Sequence, residues 1–314
     1  MDSLASKKCL VLGGGGFIGT NLCLALTGKV AELRAFGRRQ SFPASLQDVD
    51  WIPGDFRDSG AVAAALSGCD TVFHLISGST PVSGNIDMTF DIQASVSSTI
   101  HLLEACRAQS VKKVIFVSSG GAVYGVPEIT PTPETAPTNP ISAYGITKLT
   151  IEKYLHLFEH HHGIEYRVLR VANPFGPYQT AVRGQGVIAA FLGKAMKNEP
   201  VDIYGDGSVI RDYLYIDDVV RAIIAGTTHD GKDRIFNIAS GVGRDLLSLM
   251  KDIEAILGRK IEVRRHEGRK VDVPVSVLDI SRAKKVLSWE PRTEFTAGLE
   301  KTVEWIKRKK DGGP

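Results

Sequence analysis

The sequence predicts an α/β protein built on a doubly wound parallel sheet, with a smaller carboxyl-terminal α/β lobe. Short apolar runs alternate with helix-like stretches through about residue 171, and continuously apolar strands separated by helices are typical of a parallel sheet covered on both faces. A cluster of glycines follows the first strand, and prolines and glycines interrupt the pattern beyond residue 171. The 314 residues are enough for one large α/β domain with a companion lobe.

The expected elements can be placed in chain order. We expect strands over residues 9–12, 33–36, 71–75, 114–117 and 166–171, and helices over 17–26, 61–66, 96–109 and 143–160. Beyond them we expect helices over 187–197, 217–225 and 246–257, with short strands over 202–204, 235–238 and 261–264. Residues 1–172, joined by late elements from about 209–240, would form the sheet domain. Residues 173–208 and 241–314 would form the smaller lobe.

Composition argues against several classes of protein. A net charge of +3 gives no case for nucleic acid, and the basic residues 307–310 indicate a solvated tail. No apolar run approaches the length of a membrane span, and residues 1–8 lack the apolar core of a signal peptide. The four cysteines stand singly, without the close pairs of a zinc site or redox motif, which favours a reducing cytoplasm. The histidines at 160–162 are consecutive and cannot all face one ion, so no metal site is predicted.

The glycine-rich loop gives the first functional signal. Gly13, Gly16 and Gly19 follow the first strand and open an apolar helix that starts with Phe17 and Ile18. This strand–turn–helix context is the one that a dinucleotide-binding motif requires. Glycines let the backbone approach a diphosphate, and the helix presents free amides to it. The sheet domain is therefore predicted to be a Rossmann-type dinucleotide-binding domain, and the smaller lobe would bind the substrate.

The end of the second strand bears on the choice of cofactor. Phe36 and Gly37 lead there to Arg38 and Arg39, with no carboxylate. An acidic residue would bind the adenosine ribose hydroxyls and repel a 2′-phosphate, whereas arginine attracts one. These residues favour NADP or tolerance of both cofactors. The choice between NAD and NADP stays open.

Tyr144 and Lys148 form a candidate proton-transfer pair. Residues four apart share a helix face, so a helix over 143–160 would hold the phenol and the ammonium group side by side. A neighbouring positive charge lowers the pKa of a phenol from about 10. Tyr144 is then a plausible general base near neutral pH. By itself, however, the spacing fits an ordinary amphipathic helix equally well.

Several further motifs occur in a fixed order along the chain. They are Gly13-x-x-Gly16-x-x-Gly19, Gly54-Asp55-Phe56, Val72-Phe73-His74-Leu75, Ser118-Ser119-Gly120-Gly121-Ala122-Val123-Tyr124-Gly125, Tyr144-x-x-x-Lys148, Arg170-Val171-Ala172-Asn173-Pro174-Phe175-Gly176-Pro177, Gly205-Asp206-Gly207-Ser208 and Arg211-Asp212-Tyr213. With these motifs, nearly the whole chain resembles the extended short-chain dehydrogenase/reductase family. Within that family it resembles the NAD(P)-dependent nucleotide-sugar epimerases related to UDP-glucose 4-epimerase.

The resemblance implies roles for the matching residues of the sheet domain. The cofactor would be bound by Gly13, Gly16, Phe17, Ile18, Gly19, Arg38, Arg39, Asp55, Phe56, Leu75, Ile76, Ser77, Tyr144 and Lys148. Asp55 would accept a hydrogen bond from the adenine amino group. Tyr144 would be the catalytic base, and Lys148 would hold the nicotinamide ribose and keep Tyr144 acidic.

The resemblance also implies a substrate site. Asn173, Arg211 and Arg269 match positions that bind the diphosphate of the substrate, and Tyr204 matches a position that packs on its base. For the two arginines, an ordinary surface ion pair with a neighbouring aspartate is the alternative. Ser276 stands where relatives restricted to plain hexoses carry a bulky aromatic residue. We therefore expect room for a 2-acetamido group.

One position departs from the family. Relatives usually carry Ser or Thr four residues before Tyr124, and this chain has Gly120 there. Ser119 is a candidate for the missing hydroxyl if the backbone of the turn is shifted, and water or a backbone group is the alternative. Gly121 and Ala122 stand where sugar-nucleotide 4,6-dehydratases carry acidic residues, which argues against that reaction. In a second departure, Ser95 replaces the Asn of many relatives.

The resemblance implies a 4-epimerase of the UDP-glucose/UDP-galactose or UDP-N-acetylhexosamine type, working through a transient 4-keto sugar. Its NAD or NADP would stay tightly bound and be recycled. An NADPH-dependent reductase of a 4-keto-6-deoxysugar nucleotide is the alternative that the arginines after the second strand favour. A non-catalytic cofactor-binding relative is a third reading, which Gly120 favours. Relatives often pack two helices per subunit, so we expect a homodimer through helices 96–109 and 143–160.

Overall fold

The central element of the fold is a parallel sheet of seven strands. This computed structural model describes residues 2–43, 49–81, 83–180, 186–268 and 273–310. The strands are β1 (Lys8–Leu12), β2 (Glu32–Gly37), β3 (Asp50–Pro53), β4 (Thr71–His74), β5 (Lys113–Ser119), β6 (Glu165–Val171), β7 (Asn173–Phe175), β8 (Val201–Tyr204), β9 (Ile210–Tyr215), β10 (Ile235–Ile238), β11 (Gly243–Asp245), β12 (Val263–His266) and β13 (Val275–Ser276). The large sheet has the order β10-β6-β5-β4-β1-β2-β3, and each neighbouring pair is parallel. The predicted fold class is confirmed.

Helices cover both faces of this sheet, and other helices pack on the strands of the smaller lobe. They are α1 (Asp2–Ala5), α2 (Phe17–Leu26), α3 (Ser59–Ala65), α4 (Met88–Asp91), α5 (Ser98–Ala108), α6 (Gly120–Val123), α7 (Ala143–His162), α8 (Val187–Ala195), α9 (Ile216–Thr228), α10 (Leu246–Leu257), α11 (Ser281–Leu287) and α12 (Phe295–Lys310). A π-helical stretch, Ile92–Ser97, joins α4 to α5. On one face lie α2 and α9, and on the other lie α3, α5 and α7.

The first strand shows why the strands are continuously apolar. Cys9 and Val11 of β1 pack in the layer that contains α2 and α9, whereas Leu10 and Leu12 pack in the layer that contains α3, α5 and α7. Successive strand side chains face opposite ways, and here both directions lead into a core. None of the four side chains is exposed to solvent.

The helix that carries the candidate proton-transfer pair has well-defined ends. The Ser142 hydroxyl accepts a hydrogen bond from the Gly145 N–H at 3.2 Å, which caps the start of α7. The helix ends at Gly163, whose φ of 68° is the left-handed conformation that glycine adopts without strain. The three consecutive histidines occupy the last turn, where a protonated side chain complements the negative end of the helix.

Among the elements that differ from the sequence expectations, three have a clear physical reason. The apolar pattern does not indicate β3, because this short strand lies at the edge of the sheet and is only half-buried. It also misses β9, because Arg211 and Asp212 interrupt the apolar residues. The expectation of a solvated tail at 307–310 is wrong, since these residues belong to α12. That helix buries Leu299 and Val303, while its basic side chains up to position 309 stay exposed.

The smaller lobe is built around β9. β11 pairs with β9 in the antiparallel sense, and β7 and β13 pair with it in the parallel sense. β8 and β12 form a separate parallel pair. β10 joins the large sheet beside β6, while the division into domains near residue 172 stays a prediction. Within the described ranges, no helix is both long and apolar enough to cross a membrane.

Candidate active site

The glycine loop between β1 and α2 brings backbone segments into close contact. Gly13 has a φ of +85°, and its N–H donates to the carbonyl oxygen of Phe36 at 2.9 Å. A Cβ built on Gly19 would lie 2.1 Å from the carbonyl oxygen of Gly13, so only glycine lets the helix begin this close to the strand. Gly16 precedes α2 with extended backbone and no side-chain cap. The first amides of α2 can therefore bind an anion.

A cavity of about 690 Å³ begins at this loop and extends to the smaller lobe. Its walls on the sheet side include Gly13, Gly16, Phe17, Ile18, Gly19, Leu75, Ser77, Ser119, Tyr144 and Lys148. On the lobe side they include Asn173, Lys194, Asp202, Tyr204, Arg211 and Tyr213. This is the carboxyl edge of the parallel sheet, where ligands of such folds bind. The structure thus brings most of the sequence-predicted residues for cofactor, proton transfer and substrate to one cavity.

Tyr144 and Lys148 lie together in this cavity, but their electrostatics differ from expectation. The Lys148 ammonium group donates to the Val117 carbonyl oxygen at 3.0 Å and lies 5.8 Å from the centroid of the Tyr144 ring. Burial lowers the pKa of Lys148 to about 8, opposed by the negative charges of Asp91 and Glu152. Burial raises the pKa of Tyr144 to about 12. The net shift in the pKa of Tyr144 is therefore upward rather than downward, because desolvation of the phenol dominates over the stabilising groups around it.

Ser119 supplies a hydroxyl group beside Tyr144. Its side chain hydrogen-bonds with Tyr144 and thereby opposes the rise in the pKa of the phenol. A Cβ built on Gly120 would lie 2.3 Å from Leu278 Cδ1 and 3.0 Å from the Arg170 carbonyl oxygen. A side chain at position 120 would therefore point into packed residues, away from the cavity. The hydroxyl beside the phenol therefore belongs to Ser119, whereas its role in catalysis stays a prediction.

The residues expected at the adenine lie in a separate cluster beside the cavity. The guanidinium group of Arg57 donates to both carboxylate oxygens of Asp55, at 3.1 and 2.6 Å. These bonds lower the pKa of Asp55 to about 2. The ring of Phe56 is buried and packs against His74, with centroids 5.1 Å apart. Sequence reasoning missed Arg57, although opposite charges two residues apart offered a signal.

Arg38 and Arg39 are exposed after the end of β2. Neither lines the cavity, but the charge of Arg38 helps to lower the pKa of Asp55. The indole N–H of Trp51 donates to the Arg39 carbonyl oxygen at 3.1 Å. A Cβ built on Gly15 would lie 2.9 Å from the Trp51 ring, so this ring packs beneath the glycine loop. Sequence reasoning missed Trp51 because it missed β3.

Two other predicted residues do not line the cavity directly. Ile76 packs behind the loop, with Cγ1 3.1 Å from the place of a Cβ on Gly13. Ser276 is buried on β13, and its hydroxyl lies 3.7 Å from the place of a Cβ on Gly121. Arg269, expected at the diphosphate, lies outside the described residues.

On the lobe side, Asn173 and Arg211 lie on the neighbouring strands β7 and β9 of the small sheet. Asn173 donates its amide to the Asp212 carbonyl oxygen at 3.1 Å, and Arg211 Nη1 donates to the carbonyl oxygens of Ile210 and Val273 at 3.0 and 2.5 Å. The carboxylate of Asp212 accepts hydrogen bonds from residues 240 and 241 on the opposite side of the strand. Burial raises the pKa of Asp212 to about 6. Asp212 therefore has partners of its own on the far side from the cavity.

A cluster that sequence reasoning missed surrounds Tyr204. The ring of His266 stacks on Tyr204 with centroids 4.9 Å apart and an interplanar angle of 23°. His266 Nε2 lies 2.7 Å from a carboxylate oxygen of Asp202, which also forms an ion pair with Lys194. Hydrogen bonds from Lys194 and His266 lower the pKa of Asp202 to about 2. Only the parallel pairing of β8 with β12 brings these residues together.

A buried network supports the back of the site. Arg170 and Glu152 form an ion pair at 2.6 Å, and the Ser118 hydroxyl donates to Glu152 at 2.6 Å. Arg170 also donates to the Tyr124 hydroxyl at 2.9 Å, and Tyr124 donates to Asn237 at 2.7 Å. The network joins α7 to β5, β6 and β10. Because each charge has its partner, the burial of the ions is compensated.

The cysteines and histidines carry no site of their own in the described ranges. Cys9, Cys23, Cys69 and Cys106 are buried free thiols, and burial raises the pKa of Cys9 to about 12, which suppresses the reactive thiolate. Across these ranges, no group of three or more His, Cys, Asp or Glu side chains is placed to hold a metal ion.

Comparisons with known proteins agree with this geometry. A sequence model of the NAD-dependent epimerase/dehydratase family matches residues 9–239. The chain is 34% identical to the UDP-glucose 4-epimerase of Mycolicibacterium smegmatis over an alignment 313 positions long, which covers 96% of this chain and 99% of the relative.

Two solved structures are similar over nearly their full length. The UDP-glucose 4-epimerase of Thermotoga maritima, solved with UDP-glucose, has a TM-score of 0.91 and 34% identity, covering 96% of this chain and 99% of that one. The UDP-N-acetylglucosamine 4-epimerase of Methanobrevibacter ruminantium, solved with UDP-N-acetylmuramic acid, has a TM-score of 0.91 and 29% identity, covering 98% and 100%.

Proposed function

The chain belongs to the NAD-dependent epimerase/dehydratase family, and on that premise we propose that it is a nucleotide-sugar 4-epimerase that recycles a bound nicotinamide cofactor. The observation that carries the proposal is the single cavity that holds the glycine loop, Tyr144 and Lys148 at one end and Tyr204 and Arg211 at the other. A dinucleotide at the loop and a nucleotide sugar in the lobe would meet at the Tyr144 hydroxyl.

The glycine loop fits a dinucleotide. A side chain is sterically excluded at Gly19 and would be strained by the positive φ at Gly13, so backbone atoms form much of the loop surface. The helix start after Gly16 favours negative charge there. When bound, the nicotinamide ring supplies the acceptor and then the donor of hydride for C4 of the sugar. Lys148 would hold the ribose next to that ring, and the Asp55–Arg57 pair would contact the adenine.

Proton transfer falls to Tyr144 in this mechanism. It takes the proton of the sugar 4-hydroxyl as the 4-keto sugar forms and returns it after the sugar has turned over. With a pKa near 12 the phenol is protonated at neutral pH, so the base form needs stabilisation. Ser119 gives it a hydrogen bond, and the Lys148 ammonium group gives it a positive charge 5.8 Å from the ring.

The lobe would bind the nucleotide part of the substrate firmly and the sugar part weakly. Tyr204 would pack on the base, while Asn173, Arg211 and Arg269 would bind the diphosphate through charge-assisted hydrogen bonds. Because the nucleotide would be held firmly and the sugar weakly, the keto sugar could rotate about its diphosphate. Ser276 does not line the cavity directly, but its small side chain lies against Gly121, so no bulky side chain is present at this position to exclude a 2-acetamido group, and we propose that 2-acetamido sugars are accepted beside glucose and galactose.

A homodimer in the cytoplasm completes the proposal. Exposed apolar side chains lie on α4 and the adjoining π-helical stretch and on the outer face of α7, namely Met88, Phe90, Ile92, Ile146 and Leu157. Apolar surface of this kind favours a protein interface. Of the two helices expected at the dimer interface, the helix at 143–160 carries part of this apolar surface. The helix at 96–109 does not, because the remaining exposed apolar residues precede it in the chain. The free cysteines support a reducing compartment.

The test is turnover of a panel of UDP-, dTDP- and GDP-sugars by the purified protein, with the configuration at C4 followed by proton NMR. We expect interconversion of UDP-glucose and UDP-galactose, and of the N-acetylhexosamine pair, without added cofactor. Stoichiometric consumption of NADPH with a 4-keto-6-deoxysugar nucleotide would instead identify a reductase, which the exposed Arg38 and Arg39 would serve. Cofactor binding with no turnover of any sugar would contradict both enzymes. Tyr144→Phe is the control for catalysis at this site.

A further inference from the structure

Asp91 is a buried carboxylate close to the proposed proton-transfer pair. It ends α4, just before the π-helical stretch Ile92–Ser97, and its side chain is 1% exposed. One oxygen accepts a hydrogen bond from the Thr147 hydroxyl at 2.9 Å, and the other accepts one from the Ser95 hydroxyl at 3.1 Å. Both donors are neutral. A carboxylate removed from water is costly unless an opposite charge lies nearby.

Lys148 is a buried cation that forms no ion pair with any residue of the described ranges. It is 4% exposed, and its ammonium group donates to a neutral carbonyl oxygen. The other charged groups that face it are already compensated or neutral. Glu152, one turn further along α7, is paired with Arg170. His74 on β4 is fully buried and neutral, because burial and then the charge of Lys148 lower its pKa to about 3.

Asp91 is placed to act on the first turns of α7. Thr147, its hydrogen-bond donor, lies one turn after Tyr144 and directly before Lys148. Gly84 borders both groups, since a Cβ there would lie 3.2 Å from the Tyr144 nitrogen and 3.3 Å from Asp91 Oδ2. The carboxylate therefore lies near the amino-terminal end of a 20-residue helix, where the helix dipole favours negative charge.

We propose that Asp91 is a positioning residue for the Tyr144–Lys148 pair: its carboxylate is the counter-charge that keeps the Lys148 ammonium group protonated, and its bond with Thr147 fixes the start of α7. The consequence for turnover rests on the proposed function, whereas the charge coupling does not. The Ser95 hydroxyl, at a departure from the family pattern, belongs to the same arrangement because it links Asp91 to the Gly78 N–H.

Removal of the Asp91 charge has a defined sign. Its charge raises the pKa of Lys148, ahead of that of Glu152, and it also raises the pKa of Tyr144. Without it, Lys148 loses its proton at lower pH, and Tyr144 also forms the phenolate at lower pH. Both limbs of a pH–rate profile therefore move in the acidic direction. A role limited to structure would lower the rate without moving either limb.

The test is Asp91→Asn, which keeps the size of the side chain and still bonds with both hydroxyls, because hydroxyl groups both donate and accept. The titration of the Lys148 amine is followed by NMR with nitrogen-15 at Nζ, and Lys148→Met assigns the signal. We expect the midpoint to fall by about one pH unit, the lower range for a nearby opposite charge. The matched control is Asp87→Asn, an exposed N-cap of α4, which leaves the midpoint in place. An unmoved midpoint in Asp91→Asn overturns the proposal.

Thr147→Val separates the two parts of the proposal. It removes the hydrogen bond but keeps the charge, so we expect an unchanged midpoint with a lower kcat. If Asp91→Asn does not fold, Asp91→Ser, which also removes the charge, is titrated in the same way. The Lys148 midpoint should again fall, and an unmoved Lys148 midpoint overturns the proposal.

The NMR titration requires no substrate, so its outcome is independent of the proposed function. A protein without epimerase activity whose Lys148 midpoint falls in Asp91→Asn would support the coupling and contradict the function. An active epimerase whose Lys148 midpoint does not move in Asp91→Asn would support the function and contradict the coupling. In the active enzyme, the pH profile of kcat should shift with the midpoint.

Discussion

The side chain of Ser119 hydrogen-bonds with the Tyr144 hydroxyl at the point where β5 ends and α6 begins. The next residue, Gly120, faces Leu278 and the Arg170 carbonyl oxygen so closely that it has no room for a Cβ. In this short turn, Ser119 therefore directs its hydroxyl toward the cavity, and Gly120 packs against the core on the other side. This arrangement gives two of the predictions below.

Ser119→Ala should lower kcat by about 100-fold, since removal of one stabilising donor at a site of developing charge has this effect. The hydrogen bond from Ser119 opposes the raised pKa of Tyr144, so its loss should move the acidic limb of the pH–rate profile to higher pH. The measurement is kcat for UDP-glucose from pH 6 to 10. Ser119→Thr, which keeps a hydroxyl, should retain most of the rate. An unmoved acidic limb in Ser119→Ala would contradict the assignment.

Gly120→Ser should not create a second catalytic hydroxyl, although a hydroxyl at this position matches the family pattern. The added Cβ would lie 2.3 Å from Leu278 Cδ1, so we expect destabilisation by about 1–3 kcal/mol from overpacking. Urea denaturation measures this change. The double variant with Ser119→Ala should remain as inactive as Ser119→Ala alone, and recovery of the rate would show that position 120 faces the substrate.

Arg57→Gln should weaken binding of the cofactor by no more than roughly fivefold, because an ion pair at an exposed site contributes little. The substitution releases both carboxylate oxygens of Asp55, which leaves the adenine contact less well ordered. Calorimetric titration of the cofactor-free protein measures Kd. The control is Arg107→Gln, which breaks an exposed ion pair with Glu104 on α5 and should leave Kd unchanged. Equal effects of the two variants would argue against a role for Asp55 at the adenine.

Replacement of both Arg38 and Arg39 by Ser should reduce the affinity for NADP relative to NAD by roughly tenfold, or about 1.4 kcal/mol. Both side chains are exposed just after the end of β2, the position from which arginine accommodates a 2′-phosphate in dinucleotide-binding domains. The Kd of each cofactor gives the ratio at fixed ionic strength. Replacement of Lys307 and Arg308 on α12 by Ser removes the same charge elsewhere and serves as the control. An unchanged ratio would mean that the arginines do not select the cofactor.

Ser276→Tyr should exclude 2-acetamido sugars while it preserves turnover of plain hexoses. The Ser276 hydroxyl faces Gly121, so the new ring would occupy the space proposed for the acetamido group. We expect kcat/KM for UDP-N-acetylglucosamine to fall roughly tenfold or more relative to UDP-glucose, as steric exclusion of a few atoms allows. Ser281→Tyr, at an exposed position that begins α11, is the control. A parallel loss for both sugars would indicate general disruption of the site.

The sequence by itself determined the fold class, the glycine loop and the Tyr144–Lys148 helix. Each of these follows from local spacing: continuously apolar runs for buried parallel strands, glycines between a strand and a helix, and two residues one helical turn apart. Such patterns survive in one dimension because the contacts that they encode are near in the chain.

Only the tertiary structure decided the electrostatic environment of Tyr144 and Lys148. The pKa of Tyr144 rises rather than falls because burial, which depends on the whole cavity, outweighs the charge four residues away. Ser119 rather than residue 120 presents the hydroxyl because Leu278, distant in the chain, fills the other side of the turn. Asp91 reaches α7 through Thr147, 56 residues later. Desolvation and long-range packing set these properties, and neither is written in local spacing.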